Sequence, residues 1–264
     1  MRELALDALL TMSWVVLGYT LLLDLVMLAL VLAGARRVSA SRRWDGSEGH
    51  EEIFASPLTP GVSVLIPAHD EAGCIAATIA SFRAQSHAPE RIIVVADNCT
   101  DDTVPIARAA WVEVVETVGN TKKKAGALNQ VLSVVLPEQG DNDTVMIMDA
   151  DTTLDQGFLA AAVRRLTDDR ALMAVGGLFY GEDGAGLIGQ FQRNEYIRYA
   201  RELNRRRGRL FVLTGTASLF RPRALSTVAA SRGRSLPGRP GDVYYTVALT
   251  EDNELTLALS RWVR

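Results

Sequence analysis

Met146-Ile147-Met148-Asp149-Ala150-Asp151 is the stretch on which the reading of this chain turns. An apolar run from Val145 to Met148 ends in two carboxylates one residue apart. If the run is a buried strand, alternation turns Asp149 and Asp151 to the same side, just past the strand's carboxyl end. In open α/β sheets that edge is where ligands bind. Two acids there, with no basic residue among the next ten, suit a divalent cation that carries a phosphorylated ligand. The alternative is a loop whose acids cap the next helix. Asp155, placed before Phe158-Leu159, is a better cap and leaves the pair for another task.

Working outward, strand and helix signals alternate. Val62–Ile66, Arg91–Ala96, Val112–Val118, Thr144–Met148 and Met173–Phe179 read as strands. Helices are expected over Glu71–Ala84, through Val104–Ala110, over Ala125–Leu136 up to Pro137, and over Gln156–Leu166. Thr100 or Asp101 can cap the second of these. This order predicts an α/β domain, a mostly parallel central sheet with helices on both faces. After Gly181 the regularity falls. Leu187–Arg206 reads as a long helix with a charged face, Leu210–Leu213 and Ser218–Phe220 as short strands, and Glu251–Ser260 as a last helix. Ser231–Gly241, rich in Gly, Pro and Arg, reads as a mobile loop.

The chain has 264 residues, 48% hydrophobic and 22% charged, with a formal net charge of -3, which argues against a dedicated nucleic-acid binder. Cys74 and Cys99 lack zinc-like spacing and read as free thiols. His50, His69 and His87 form no metal-ligand pattern. Met12–Ala35 is almost continuously apolar, carries only Asp24, and exceeds the roughly 20 residues a helix needs to cross a bilayer. Arg36, Arg37, Arg42 and Arg43 follow, so the positive-inside rule puts the N-terminus outside and the remainder in the cytoplasm. A cleaved signal peptide would need a basic n-region and a shorter apolar run. Asp24 costs about 2.5–3.5 kcal/mol at mid-membrane, which calls for a polar partner in a second membrane subunit or another copy of the chain. The expected organisation is a transmembrane helix over 1–36, a linker over 37–60, and a catalytic domain over 61–264. That domain divides near residue 180.

Acids collect at the strand ends: Asp97 after the second strand, Asp149 and Asp151 after the fourth. No Gly-rich dinucleotide fingerprint or Walker lysine loop follows the first strand, which argues against a dinucleotide oxidoreductase and a P-loop NTPase. Asn120-Thr121-Lys122-Lys123-Lys124 precedes a helix, where ammonium groups and the helix dipole both favour an anion; Lys124 has the best claim. Thr250-Glu251-Asp252-Asn253-Glu254 sets three carboxylates at a helix start, either as dipole complements or, beside a metal and phosphates, with one as general base.

Taken in order, Val64–Glu71, Val95–Thr103, Lys124–Asn129, Asp149-Ala150-Asp151, Thr214–Arg221 and Thr250–Leu255 resemble the motifs of the family 2 glycosyltransferases, which have a Rossmann-like GT-A fold. The closest likeness is to the membrane-bound branch of cellulose, chitin and hyaluronan synthases and bacterial exopolysaccharide transferases. It covers about residues 61 to 260. The resemblance implies a nucleotide-sugar half over about 61–180 and an acceptor half over about 181–264. It implies that Pro67, Ala68 and Glu71 line the nucleotide site and that Asp97 reads the uracil edge. Lys124 would lie near the phosphates, Asp149 against the nucleotide, and Asp151 on Mg²⁺ or Mn²⁺, with Asp149 beside it. Gly215 and Thr216 would border the acceptor, and Asp252 would be the general base next to Glu251.

The implied activity is metal-dependent inverting transfer from a UDP-sugar, of the UDP-GlcNAc or UDP-Glc class, to a hydroxyl of a glycan or lipid-linked acceptor. Processive members carry Gln-x-x-Arg-Trp some tens of residues beyond the Thr-Glu-Asp motif, and Arg261-Trp262 stands too close to Asp252 to be it. The alternative expectation is therefore a catalytically incomplete nucleotide-binding or assembly subunit, or a fragment of a polysaccharide synthase. Asp70 and His69 stand where the family often has Asn and an aromatic residue.

Overall fold

The computed structural model describes residues 2–42, 60–181, 186–205 and 212–261. In chain order the elements are α1 (Arg2–Arg42), β1 (Val62–Ala68), α2 (Ile75–Arg83), β2 (Arg91–Ala96), α3 (Thr103–Ala109), β3 (Glu113–Glu116), α4 (Lys123–Glu138), β4 (Thr144–Met148), α5 (Phe158–Asp168), β5 (Ala174–Gly176), α6 (Gly186–Arg205), β6 (Ala217–Phe220), α7 (Pro222–Ser231) and α8 (Glu251–Ser260). They divide into two compact units. One comprises Met1–Gly49 with Ala185–Arg209, the other His50–Gly184 with Leu210–Arg264.

In the first unit, Leu10–Ala33 of α1 is a 24-residue stretch with a mean hydropathy of 2.5 and no part buried. At 1.5 Å per residue it is about 36 Å long, enough for the roughly 30 Å hydrocarbon core of a bilayer. Asp24 lies on this exposed stretch. The helix itself continues to Arg42, past the boundary expected at residue 36. Residues 43–59 of the expected linker lie outside the described residues. Helix α6 buries Gly189, Ala200 and Leu203 and exposes Glu195, Arg198 and Arg201, which is the charged face read from the sequence.

The second unit is built on a six-stranded sheet of order β3-β2-β1-β4-β6-β5. Strands β3, β2, β1 and β4 are mutually parallel, and β6 runs antiparallel to both β4 and β5. The strands at the centre are apolar on both faces, as burial by helices on both sides requires. Val62, Val64 and Ile66 of β1 and Met146 and Met148 of β4 pack with α2 and α5. Leu65, Val145 and Ile147 face the other way, toward α4, α7 and α8. Each such fully buried Ile or Leu contributes roughly 1.5–3 kcal/mol by leaving water. Because β1, β2 and β4 are parallel neighbours in register, their carboxyl ends lie along one edge of the sheet.

Several elements differ from the sequence reading. Strand β3 covers only Glu113–Glu116, since it is an edge strand paired with β2 alone. Strand β5 stops at Gly176, where two glycines supply no side chains to pack. Helix α2 starts at Ile75 because Glu71–Cys74 form a turn in which Cys74 and Ile75 amides bond the Glu71 carbonyl. Helix α4 passes through Pro137 to Glu138; so near the end, the missing N–H and ring cost little. Asp155 receives the Phe158 amide on its carbonyl (3.0 Å) rather than capping with its carboxylate. Leu210 and Phe211 lie outside the described residues, and Val212-Leu213 is not a strand: the Leu213 amide donates to Thr256 Oγ1 at 2.9 Å. Helix α7, unanticipated, opens with Pro222, whose fixed φ suits a first turn.

The segment expected to be a mobile loop is tied to the core. Arg232 is fully buried. Its guanidinium grips both Glu254 oxygens, the longer contact 2.6 Å, and donates to the carbonyls of Pro237 and Val243. From the other side, Asn129 of α4 accepts the Val243 and Tyr244 amides on Oδ1 and donates to the Tyr244 carbonyl. Glycine and proline here shape turns around an anchored arginine. Removing one partner strands a buried charge, so Glu254→Gln is expected to cost roughly 3–5 kcal/mol in chemical denaturation. The apolar pair Arg232→Met with Glu254→Leu is expected to recover most of that loss.

Candidate functional site

The two strand-end acids have different partners. Strand geometry ends at Met148, and the Thr152 amide bonds back to the Asp149 carbonyl in a turn, so the strict alternation that would align Asp149 with Asp151 stops. Asp149 reaches toward α4, where Lys124 Nζ donates to its Oδ1 at 2.6 Å. Asp151 is exposed, and its only side-chain bond among those described is a long one from the Thr152 hydroxyl, at 3.5 Å. Its charge is felt at Cys74, on the β1 side. Burial pushes the Cys74 thiol up, and Glu71 and Asp151 push it further.

Lys124 enters this place because it is on the first turn of α4, whose Ala125, Ala127 and Leu128 are buried on the sheet. Asn120 shapes the approach: its Oδ1 accepts the Lys122 amide, and its Nδ2 donates to the Lys123 carbonyl and to Asp97. Lys122 and Lys123 stay exposed, as solvated residues of a basic turn do. Burial pushes the Lys124 ammonium down, but Asp149, then Asp252 and Glu251, push it up, and the net direction is upward.

Asp252 arrives from the first turn of α8. Burial raises its carboxyl above the ordinary carboxylate range, Glu251 and Asp149 add to that, and Lys124 and the Gly215 amide pull the other way. Gly215 is needed for the close approach: a Cβ there would overlap Asp252 Oδ2 and stand 2.7 Å from Lys124 Nζ. A cavity of about 370 Å³ opens over this group, lined by Asp149, Gly215, Thr216, Leu249, Glu251 and Asp252 among others. Leu249 at its rim is 99% exposed. Five of the residues singled out in the sequence thus line one cavity, and a sixth, Lys124, pairs with one of them and adds its charge near Asp252.

The remaining residues sit at the ends of β1 and β2. Pro67 and Ala68 close β1, and the Ala68 carbonyl accepts the Asp97 amide at 2.8 Å. Asp97 is buried, and three donors converge on its Oδ1: Thr117 (2.7 Å), Asn120 (2.8 Å) and Asn98 (3.0 Å). Glu71 donates its amide to the Thr103 hydroxyl and accepts from Cys74 Sγ. Asp70, Cys99 and Asp101 offer ligand atoms within 4.8 Å of one another. Their carboxylates are already used to shape the loop: Asp70 holds the Thr100 and Asp101 amides, and Asp101 holds those of Ala72 and Thr103. Asp70 has φ 56°, a left-handed conformation that Asp and Asn both tolerate.

Sequence reasoning assigned no role to Tyr244 or Arg232, which stand behind Asp252, and showed Asn129 only as the last residue of a motif on a helix. The local signal of Tyr244 and Arg232 was aromatic or charged character in a segment without periodicity.

The family described as Glycosyl transferase family 2 matches residues 63–228. The chain is 26% identical over 178 residues to poly-beta-1,6-N-acetyl-D-glucosamine synthase of Staphylococcus aureus (strain MSSA476), a match covering 64% of this chain and 41% of that protein. It therefore spans about two fifths of the length of the curated relatives it matches. Among solved structures, a mannosyltransferase from Pyrobaculum calidifontis, in complex with GDP-Man and Mn²⁺, superposes with a TM-score of 0.57 at 20% identity, covering 89% of this chain and 63% of that one. Glucosyl-3-phosphoglycerate synthase from Mycobacterium tuberculosis, in complex with phosphoglyceric acid, does so with a TM-score of 0.52 at 21% identity, covering 81% and 70%. These two share the GT-A fold, and on the family match the chain belongs to glycosyl transferase family 2.

Proposed function

We propose that the chain transfers a sugar from a UDP-sugar to a hydroxyl of a glycan or lipid-linked acceptor, with inversion at the anomeric carbon. The observation that carries this reading is the placement of Asp252 beside Lys124 and Asp149 over Gly215, at one cavity. Asp252 takes the proton from the acceptor hydroxyl as its oxygen attacks the anomeric carbon, and the bond to the nucleoside diphosphate breaks on the opposite face. An α-linked donor gives a β-linked product. Glu251 keeps a second negative charge beside the base, and Gly215 and Thr216 border the acceptor. Asp97 reads the uracil edge with the carboxylate oxygen left outside its three-donor cluster, and Pro67, Ala68 and Glu71 line the nucleotide. Likeness to a poly-GlcNAc synthase supports UDP-GlcNAc over UDP-Glc as donor and hexosyl transfer as the reaction class.

The carboxylates fit a hard divalent cation: Asp151 is exposed and weakly bonded, and Asp149 keeps an oxygen beyond the one Lys124 holds. Asp151 would hold Mg²⁺ or Mn²⁺, with Asp149 as its second carboxylate. When bound, such an ion supplies Lewis-acid stabilisation of the diphosphate leaving group. Lys124 holds positive charge next to the same diphosphate. The apolar stretch of α1 anchors the chain in a membrane with the catalytic unit on the cytoplasmic side, where the arginines after residue 35 and a nucleotide-sugar pool belong together. Asp24 in that helix would meet a second membrane subunit or another copy of the chain.

Mn²⁺ with UDP is expected to raise the melting temperature of the detergent-solubilised chain, and Asp151→Asn to abolish the metal-dependent part. No response to either ligand would sink the nucleotide assignment. Release of UDP from UDP-GlcNAc is expected to fall roughly 10²–10⁴-fold in Asp252→Asn, the usual range for a lost general base. Binding without Asp252-dependent release would instead identify a nucleotide-binding assembly subunit. A base must be ionised to act, so the acid limb of kcat/KM is expected above the ordinary carboxylate range. Lys124→Met removes a charge that favours the ionised form and is expected to move that limb to higher pH; a limb that stays put would dissociate Asp252 from the rate.

A further inference from the structure

A second, much smaller cavity lies beside Asp252. It measures about 10 Å³, at the lower end of the roughly 10–15 Å³ that a cavity needs to hold one water. Thr214, Ser218, Tyr244 and Asp252 line it together with apolar residues such as Ile147 and Leu255. The Thr214 hydroxyl is buried and has no hydrogen-bond partner among the described residues. Ser218 does not serve it: its hydroxyl donates to the Thr214 carbonyl at 2.8 Å, and no bond joins the two hydroxyls. A buried hydroxyl left unpaired is costly, whereas a water with two to four polar neighbours cancels that cost.

We propose that this cavity holds one ordered water shared by the Thr214 hydroxyl, the Asp252 carboxylate and Tyr244, and that Thr214 is thereby a positioning residue for Asp252. The inference rests on the reading of Asp252 as the base. The Gly215 backbone lies against the carboxylate on one side, and the water supplies a donor from the other. Tyr244 is fully buried, and its ionisation is pushed well above the usual range by burial and then by the charge of Asp252, as a close neighbour of that carboxylate would be. Thr214 sits one residue before Gly215, so the backbone that makes room for Asp252 also carries the hydroxyl that steadies it.

The test compares Thr214→Val, which keeps the shape and removes the hydroxyl, with Thr214→Ser, which keeps the hydroxyl. A high-resolution structure of the parent is expected to show one water within hydrogen-bond distance of Thr214 Oγ1 and an Asp252 oxygen. The valine variant is expected to lack it and to show a displaced carboxylate. For UDP release, Thr214→Val is expected to lower kcat about tenfold with KM for the donor within about twofold, and Thr214→Ser to restore kcat. No water in the parent, an unmoved Asp252 in the valine variant, or a serine variant as slow as the valine one would overturn the proposal. Should the parent release no UDP, the reading of Asp252 as base fails, while water position and carboxylate displacement still decide the role of Thr214.

Discussion

The Lys124 ammonium is the interaction on which the site depends. It sits between carboxylates delivered by separate elements: Asp149 from the end of β4 and Asp252 from the start of α8. Without a cation, two half-buried acids so near each other would favour protonation or separation. With it, they coexist at one cavity wall. The requirement propagates outward. Gly215 must lack a side chain, Asn120 must turn the chain into α4, and α8 must approach close enough for Asp252 to reach.

That approach of α8 is secured by a second buried charge pair. Arg232 grips Glu254, two residues beyond Asp252, and the same guanidinium draws in the carbonyls of Pro237 and Val243. Asn129 then stitches Val243 and Tyr244 to α4, the helix that carries Lys124. The cation and the base are thus mounted on helices joined through one short segment. A buried pair of this kind brings little net stability but imposes one arrangement, since any other leaves a charge unpaired.

The sheet edge adds a second set of groups with a different character. Asp97 is immobilised by three donors, and Asp70 and Asp101 are engaged with backbone amides. These acids build the loops after β1 and β2 first and can serve a ligand only with what remains. Asp151 is different: exposed and nearly unbonded, it has its oxygens available. Acidic residues of similar appearance in the sequence therefore divide into framework and candidate ligands according to the amides within reach.

The sequence by itself determined the alternation of strands and helices, the apolar N-terminal stretch and the acids at the strand ends. These are read from periods of two and 3.6 residues and from turn chemistry, which are local properties of the chain. It also contained the motif order that carries the family. Only the tertiary structure decided that β6 runs antiparallel beside β4, that Lys124 pairs with Asp149 while Asp151 is left almost unbonded, and that Ser231–Gly241 closes around Arg232. The reason is physical: each of these depends on which group from a distant segment arrives to satisfy a buried charge or amide. No local pattern encodes that, because a glycine- and proline-rich segment looks the same whether its arginine faces water or a buried glutamate.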